Sequence, residues 1–141
     1  MPTVSMKRLS WTWGCLAAFA LSAATGCGDG PCGGSEERTL TAADLPCSSI
    51  DANGIWESHP FPPLVDETCN WLEFRACSTY RFENPLGEAP TVVIGYTSFE
   101  QDGGFSTVGS GNSFVVEEAT DSEIVIRNAQ NQWFYLRLVL E

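Results

Sequence analysis

"WLEFRACSTYRFE", residues 71–83, decides the fold class. Leu72, Phe74, Ala76, Tyr80 and Phe82 share one parity, and Glu73, Arg75, Arg81 and Glu83 share the other. Successive side chains on a strand point to opposite faces, so an apolar period of two marks a sheet with one face buried. The stretch is one half-buried strand, or two strands that turn near Ala76–Ser78.

The same grammar continues towards the C-terminus. "TVVIGYTSFE" (91–100) is β-branched and aromatic, "EQDGGF" supplies turn residues, and "STVGSGNSFVVEE" turns again at Gly109–Asn112. "SEIVIRN" (122–128) sets Ile124 and Ile126 against Glu123 and Arg127. "QWFYLRLVLE" (132–141) sets Phe134, Leu136, Leu138 and Leu140 against Trp133, Tyr135 and Arg137. The turns "ATDS" and "NAQN" separate these strands by hairpin-length gaps, and no segment after residue 50 sustains a helical period. The expected class is all-β: an antiparallel meander closing into a small up-and-down barrel, with a β-sandwich as the alternative.

Upstream the character changes. "GDGPCGGSEER" (28–38) is glycine, proline and charge with nothing apolar to bury, which reads as a flexible tether. In "TLTAADLPCSS", Thr41 is placed to cap one short turn that Pro46 ends. The chain opens "MPTVSMKRLSWTWGCLAAFALSAATGC". Lys7 and Arg8 precede an uncharged stretch whose apolar part, Trp11 to Leu21, is short for a membrane span of roughly 20 residues. Small residues then lead into Cys27. This resembles a bacterial lipoprotein signal, which implies that Cys27 becomes the first mature residue and carries the lipid. The organisation expected is a signal peptide over 1–26, a tether over 27–46 and a domain over 47–141. Asp29 stands one position too late for the acidic retention signal that directly follows an anchor cysteine. The resemblance therefore implies an envelope protein on the outer membrane, facing the periplasm or the cell surface.

The formal net charge is −11, and every acidic residue lies after Cys27. Such a surface repels phosphate backbones and excludes nucleic acid as a partner. Of the six cysteines, Cys15 falls in the leader and Cys27 is assigned to lipid. Cys32, Cys47, Cys69 and Cys77 remain, which in an exported chain reads as two disulfides of open connectivity. Were 69–77 one straight strand, its end cysteines would stand roughly 26 Å apart, so they pair with each other only across a turn. Without a C-x-x-C, and with a single histidine, no metal site is expected.

Gly54-Ile55-Trp56, opening the first strand after a turn-like segment, matches the G-x-W of lipocalins. "LEFRACSTYRFE" and "GSGNSFVVEEATDSEIVIRNAQNQWFYLRLVL" are similar to the second-strand hairpin and closing strands of bacterial lipocalin-like domains. The resemblance covers 50–141. It implies a barrel, with Arg137 as the late basic residue packing over Trp56.

Chemistry is scarce. His59, in "SHPFPP", reads as a solvent-exposed loop residue, with a general base at a barrel mouth as the functional alternative. "GGFSTVG" misses a nucleophile elbow because Val108 replaces the last glycine. "DANG" at 51–54 opens like a calcium loop but lacks its later ligands, and a turn accounts for it. Thirteen aromatics follow the leader; they line a cavity or fill a core. The expectation is a non-enzymatic protein without a cofactor, tethered to a membrane by lipid. It holds a small apolar ligand in or at the mouth of the barrel, under a loop carrying Phe61 and Leu64. In the alternative, a filled barrel presents loops such as 59–68 to a protein partner; a hydrolase using acidic residues has least support. Globomycin, which blocks lipoprotein signal cleavage, is expected to leave a precursor of larger apparent mass; unchanged mobility on a gel would remove the lipid anchor.

Overall fold

The computed structural model describes residues 32–62 and 69–141. The leader, Cys27 and Leu64 lie outside the described residues. Among the described residues the fold is all-β, with ten strands in two sheets and no α-helix.

Four strands make the first sheet: β1 (Glu36–Leu40), β5 (Ser78–Glu83), β8 (Val115–Ala119) and β9 (Glu123–Asn128), in the order β1-β5-β9-β8. The second is built on β10 (Phe134–Leu140). One edge of β10 pairs with β6 (Val93–Ser98), which carries β7 (Thr107–Val108). Its other edge is shared by β3 (Trp56–Glu57), which carries β2 (Ser49–Ile50), and by β4 (Leu72–Phe74).

The parity reading holds. Phe74, Tyr80, Ile124, Ile126, Leu136 and Leu140 are all less than 2 % exposed and join one core drawn from both sheets. Aromatic edges interlock there: Phe74 meets Tyr80 at 5.2 Å and Phe114 at 6.5 Å between ring centroids. Gly95 makes the room, since a Cβ on it would stand 2.5 Å from the Phe114 ring.

The barrel expectation fails. Among the described residues no strand pair joins the two sheets, so the structure is two open sheets over one core, the arrangement of the sandwich alternative. The reason lies in two crossings. Residues 71–83 do contain two strands, but β4 pairs with β10 while β5 pairs with β9, so the chain changes sheet between them. β9 and β10 likewise lie in different sheets, so "NAQN" is a crossing and not a hairpin turn. The meander is broken twice, at neighbouring points: Cys77 N–H donates to Gln130 O at 3.0 Å.

This corner is held by buried side chains. Asn128 is fully buried; its Nδ2 donates to Gln132 O at 2.7 Å and Arg75 O at 3.0 Å, while its Oδ1 accepts from Gln130 N–H at 3.0 Å. Tyr80 Oη donates to Glu73 O at 2.6 Å, and Ser78 Oγ donates to Arg75 O at 2.6 Å. Carbonyls freed where the ladder stops thus find new donors, as buried backbone must. At the far end of β5, Asn84 does the same, its Nδ2 donating to Thr120 O at 2.6 Å and Glu88 O at 2.7 Å.

The tether reading is corrected over residues 36–46. Glu36–Leu40 is a strand, parallel to β5, so the sheet is not wholly antiparallel. Its charged side chains stay outside; edge pairing, not apolar burial, makes it a strand until Leu40 enters the core. Arg81 bridges Glu37 on β1, at 3.0 Å, and Glu123 on β9. Thr41 heads a single 3-10 turn over Ala42–Asp44, its N–H and hydroxyl both donating to Asp44, which holds that carboxyl below its ordinary range. Leu45 then returns to the core.

Replacing Asn128 by Asp puts a carboxylate against carbonyl oxygens. We expect Asn128→Asp to lower unfolding free energy by about 3–5 kcal/mol in guanidinium titrations with disulfides intact. Wild-type stability would show that the corner holds without the amide.

Candidate functional site

The four exported cysteines resolve into Cys32–Cys77 and Cys47–Cys69, with Cα separations of 5.3 and 5.4 Å. Each joins an N-terminal cysteine to the 69–77 segment, the option left once that segment is not closed on itself. Together they clamp β1 and the loop before β2 onto the corner.

Gly54 adopts φ +85°, which closes the turn into β3. Asp51 Oδ1 accepts the N–H groups of Asn53 at 2.8 Å and Ile55 at 2.9 Å, bonds that hold its carboxyl below the ordinary range. "DANG" is therefore a turn whose carboxylate is occupied by its own loop. Among the described residues no three His, Cys, Asp or Glu side chains gather to hold a metal.

Trp56 follows, 4 % exposed, and stacks on Phe82 with centroids 6.0 Å apart and planes 24° apart. The two rings come from different sheets and floor a cleft of about 280 Å3, walled by Leu40, Leu45 and Leu86. Thr41, Ser48 and Glu83 give it a polar rim. Deeper in, the core is filled side chain against side chain.

The expected contact of Arg137 with Trp56 is corrected. Leu140 is the β10 partner of Trp56, and Leu140 and Arg137 have opposite parity. Arg137 therefore faces outward, over the rings of Tyr96 at 5.2 Å and Phe61 at 5.8 Å. Cation–π contacts of this kind contribute about 0.5–2 kcal/mol each. Yet it is only 8 % exposed, because residues 58–61 lie across it. Its Nε donates to His59 O at 2.9 Å, and its guanidinium pairs with Glu57 at 2.7 Å. Phe61, in turn, sits 6.2 Å from Trp71 between centroids and remains 56 % exposed. The structure thus joins Phe61 to Arg137, two residues singled out separately, and sends Trp56 to the other face.

His59 is buried, which corrects its reading as a solvent-exposed loop residue. Leu138 N–H donates to Ser58 Oγ at 2.8 Å, and Ser58 Oγ shares a hydrogen bond with His59 Nδ1 at 2.9 Å. Sequence reasoning missed Ser58, although it adjoins the only histidine. Both residues are 3 % exposed, and the pair ties the 58–59 segment to β10. Burial, and secondarily the Arg137 charge, lower the His59 pKa to about 4.

No family model, curated protein or solved structure matches the chain.

Between pH 6.5 and about 4 the unfolded histidine holds a proton that the folded one lacks. His59 therefore stabilises the fold fully above pH 6.5, and that stability is lost as pH falls towards 4. The loss is expected to be on the order of 3 kcal/mol at most. In urea titrations from pH 7 to 4, His59→Gln is expected to flatten this part of the dependence; an unchanged slope would assign it to other groups.

Proposed function

We propose that the protein is a non-enzymatic, lipid-anchored envelope protein that binds a small apolar ligand in the cleft over Trp56 and Phe82. The observation that carries this reading is that cleft: four buried side chains of the core, Leu40, Leu45, Trp56 and Phe82, together line one recess. Small-molecule pockets are concave and mostly apolar with a few polar groups at the edge, typically about 300–1,000 Å3, and this one, at about 280 Å3, falls just below that range. The reading moves the ligand from a barrel interior to the end of two open sheets. The lipoprotein-like leader supports the anchor at Cys27 and an outer-membrane address, and the two disulfides accord with export. The non-enzymatic reading draws on Ser58 and His59, whose Oγ and Nδ1 are engaged with each other and, for Ser58, with Leu138 N–H of β10.

A second reading, a protein partner held through loops, draws on the loop between β6 and β7. Phe105 is 95 % exposed in a left-handed backbone conformation, φ +51°, and Phe99 nearby is 68 % exposed. Bulky residues seldom hold that conformation without a local reason.

The neutral dye N-phenyl-1-naphthylamine is expected to brighten on titration with the purified chain. Leu86→Asp, which charges one wall, is expected to weaken dye binding about tenfold or more, equivalent to 1.4 kcal/mol. Native mass spectrometry of the unextracted protein is expected to show a bound apolar molecule. No brightening together with a ligand-free mass would end the first reading. Photocrosslinking from position 105 that yields one dominant adduct in cells, lost in Phe99→Ser, would favour the second.

A further inference from the structure

We infer that a depression on the outer side of the six-stranded sheet, separate from the apolar cleft, binds a neutral saccharide. The depression holds about 390 Å3 and is bordered by Asp44, Asn70, Trp71, Glu73, Gln101 and Tyr135. His59 and Leu72 also line it, and none of its bordering residues is a lysine or arginine.

The chemistry of that border selects the ligand. Two carboxylates accept hydrogen bonds, Asp44 already from Thr41 and Glu73 already from Arg75, with lone pairs to spare; two side-chain amides both donate and accept, and a phenol does either. An anion would meet Asp44 and Glu73 in a chain of net charge −11. An apolar ligand would strip water from those groups without replacing its hydrogen bonds, which costs free energy. A cation would satisfy the carboxylates but leave the donors of Asn70, Gln101 and Tyr135 without an acceptor. Trp71 is 3 % exposed, and among the described residues its indole N–H has no hydrogen-bond partner. Its ring edge lies against Gly103, where any Cβ would stand 2.4 Å away, so the loop carrying Gln101 is fitted tightly over it. Sugar hydroxyls donate and accept at once, and so meet both halves of this border.

The rim adds the apolar half of the match. Trp133, 46 % exposed, stands edge-on to Tyr135 with centroids 5.2 Å apart and planes 81° apart. Tyr135 is on the outward parity of β10, opposite Glu73 on β4. A pyranose carries an apolar face of C–H groups, and the electron-rich face of an aromatic ring packs well against positive edges of that kind. Trp133 and Tyr135 offer such rings beside the polar border.

The test uses the purified full chain and four probes: cellohexaose, xylohexaose, chitohexaose and maltohexaose, each titrated calorimetrically. At least one is expected to bind with a Kd between about 10 μM and 1 mM. Trp133→Ala and Gln101→Ala change exposed residues, so cooperative melting is expected to persist while affinity for that probe falls about tenfold or more in each. Leu86→Asp, in the apolar cleft, is expected to leave saccharide affinity unchanged, so failure of dye binding and failure of sugar binding are separate results. No heat with any of the four probes at millimolar concentration, from a chain that melts cooperatively, would overturn the inference. So would a probe whose affinity survives both Trp133→Ala and Gln101→Ala.

Discussion

The structure depends on one buried carboxamide. Where the chain leaves β4 for β5, and again where it leaves β9 for β10, it abandons one ladder before joining the next. Backbone polar groups at such points must be satisfied away from water or the corner cannot close. Asn128 serves both crossings at once, donating to the carbonyl of Arg75 from the first and of Gln132 from the second. A leucine of similar size would fill the same space and leave those oxygens orphaned. Two sheets with no strand pair in common are therefore kept in register by polar contacts at one end and by apolar packing between them.

Sheet architecture then decides where chemistry can occur. Tyr80, Phe74 and the leucines of β10 meet in the middle, and the apolar cleft and the polar depression both lie at the margins of that core. One is apolar because it is an unsealed end of the core. The other is polar because it lies on the outward parity of β10 and β4. Arg137 shows how far that outer face is from ordinary surface. Its charge is matched by Glu57 and its stem and guanidinium are roofed by aromatic rings, so a cation on the nominally wet side of a sheet is almost wholly removed from water.

Much of this was legible in the chain, and the illegible part has a physical cause. Parity in 71–83, 122–128 and 132–141 named the inward side chains correctly, because alternation is a local property of an extended backbone. Partner choice is not local. Nothing in "RACST" or "NAQN" distinguishes a hairpin from a change of sheet, since both need a short polar turn. β1 was invisible for a related reason: an edge strand needs ladder bonds more than apolar side chains, and "EERTL" offers little else. Proline flanks suggested exposure for His59, yet its burial comes from Ser58 and Leu138, and the latter is 79 residues further along. The G-x-W turn was readable from Gly54, whereas the neighbour of Trp56 followed from register with β10.

The link between Cys32 and Cys77 has a mechanical meaning. Any pull arriving through residues before Cys32 passes through that covalent bridge into β5, the centre of the four-stranded sheet, before it can reach β1. The parallel β1–β5 ladder is thus a slack loop under tension, bypassed by a bond far stronger than its hydrogen bonds. Only a reductant would bring it into the load path, and the domain would then begin to peel from its least protected edge.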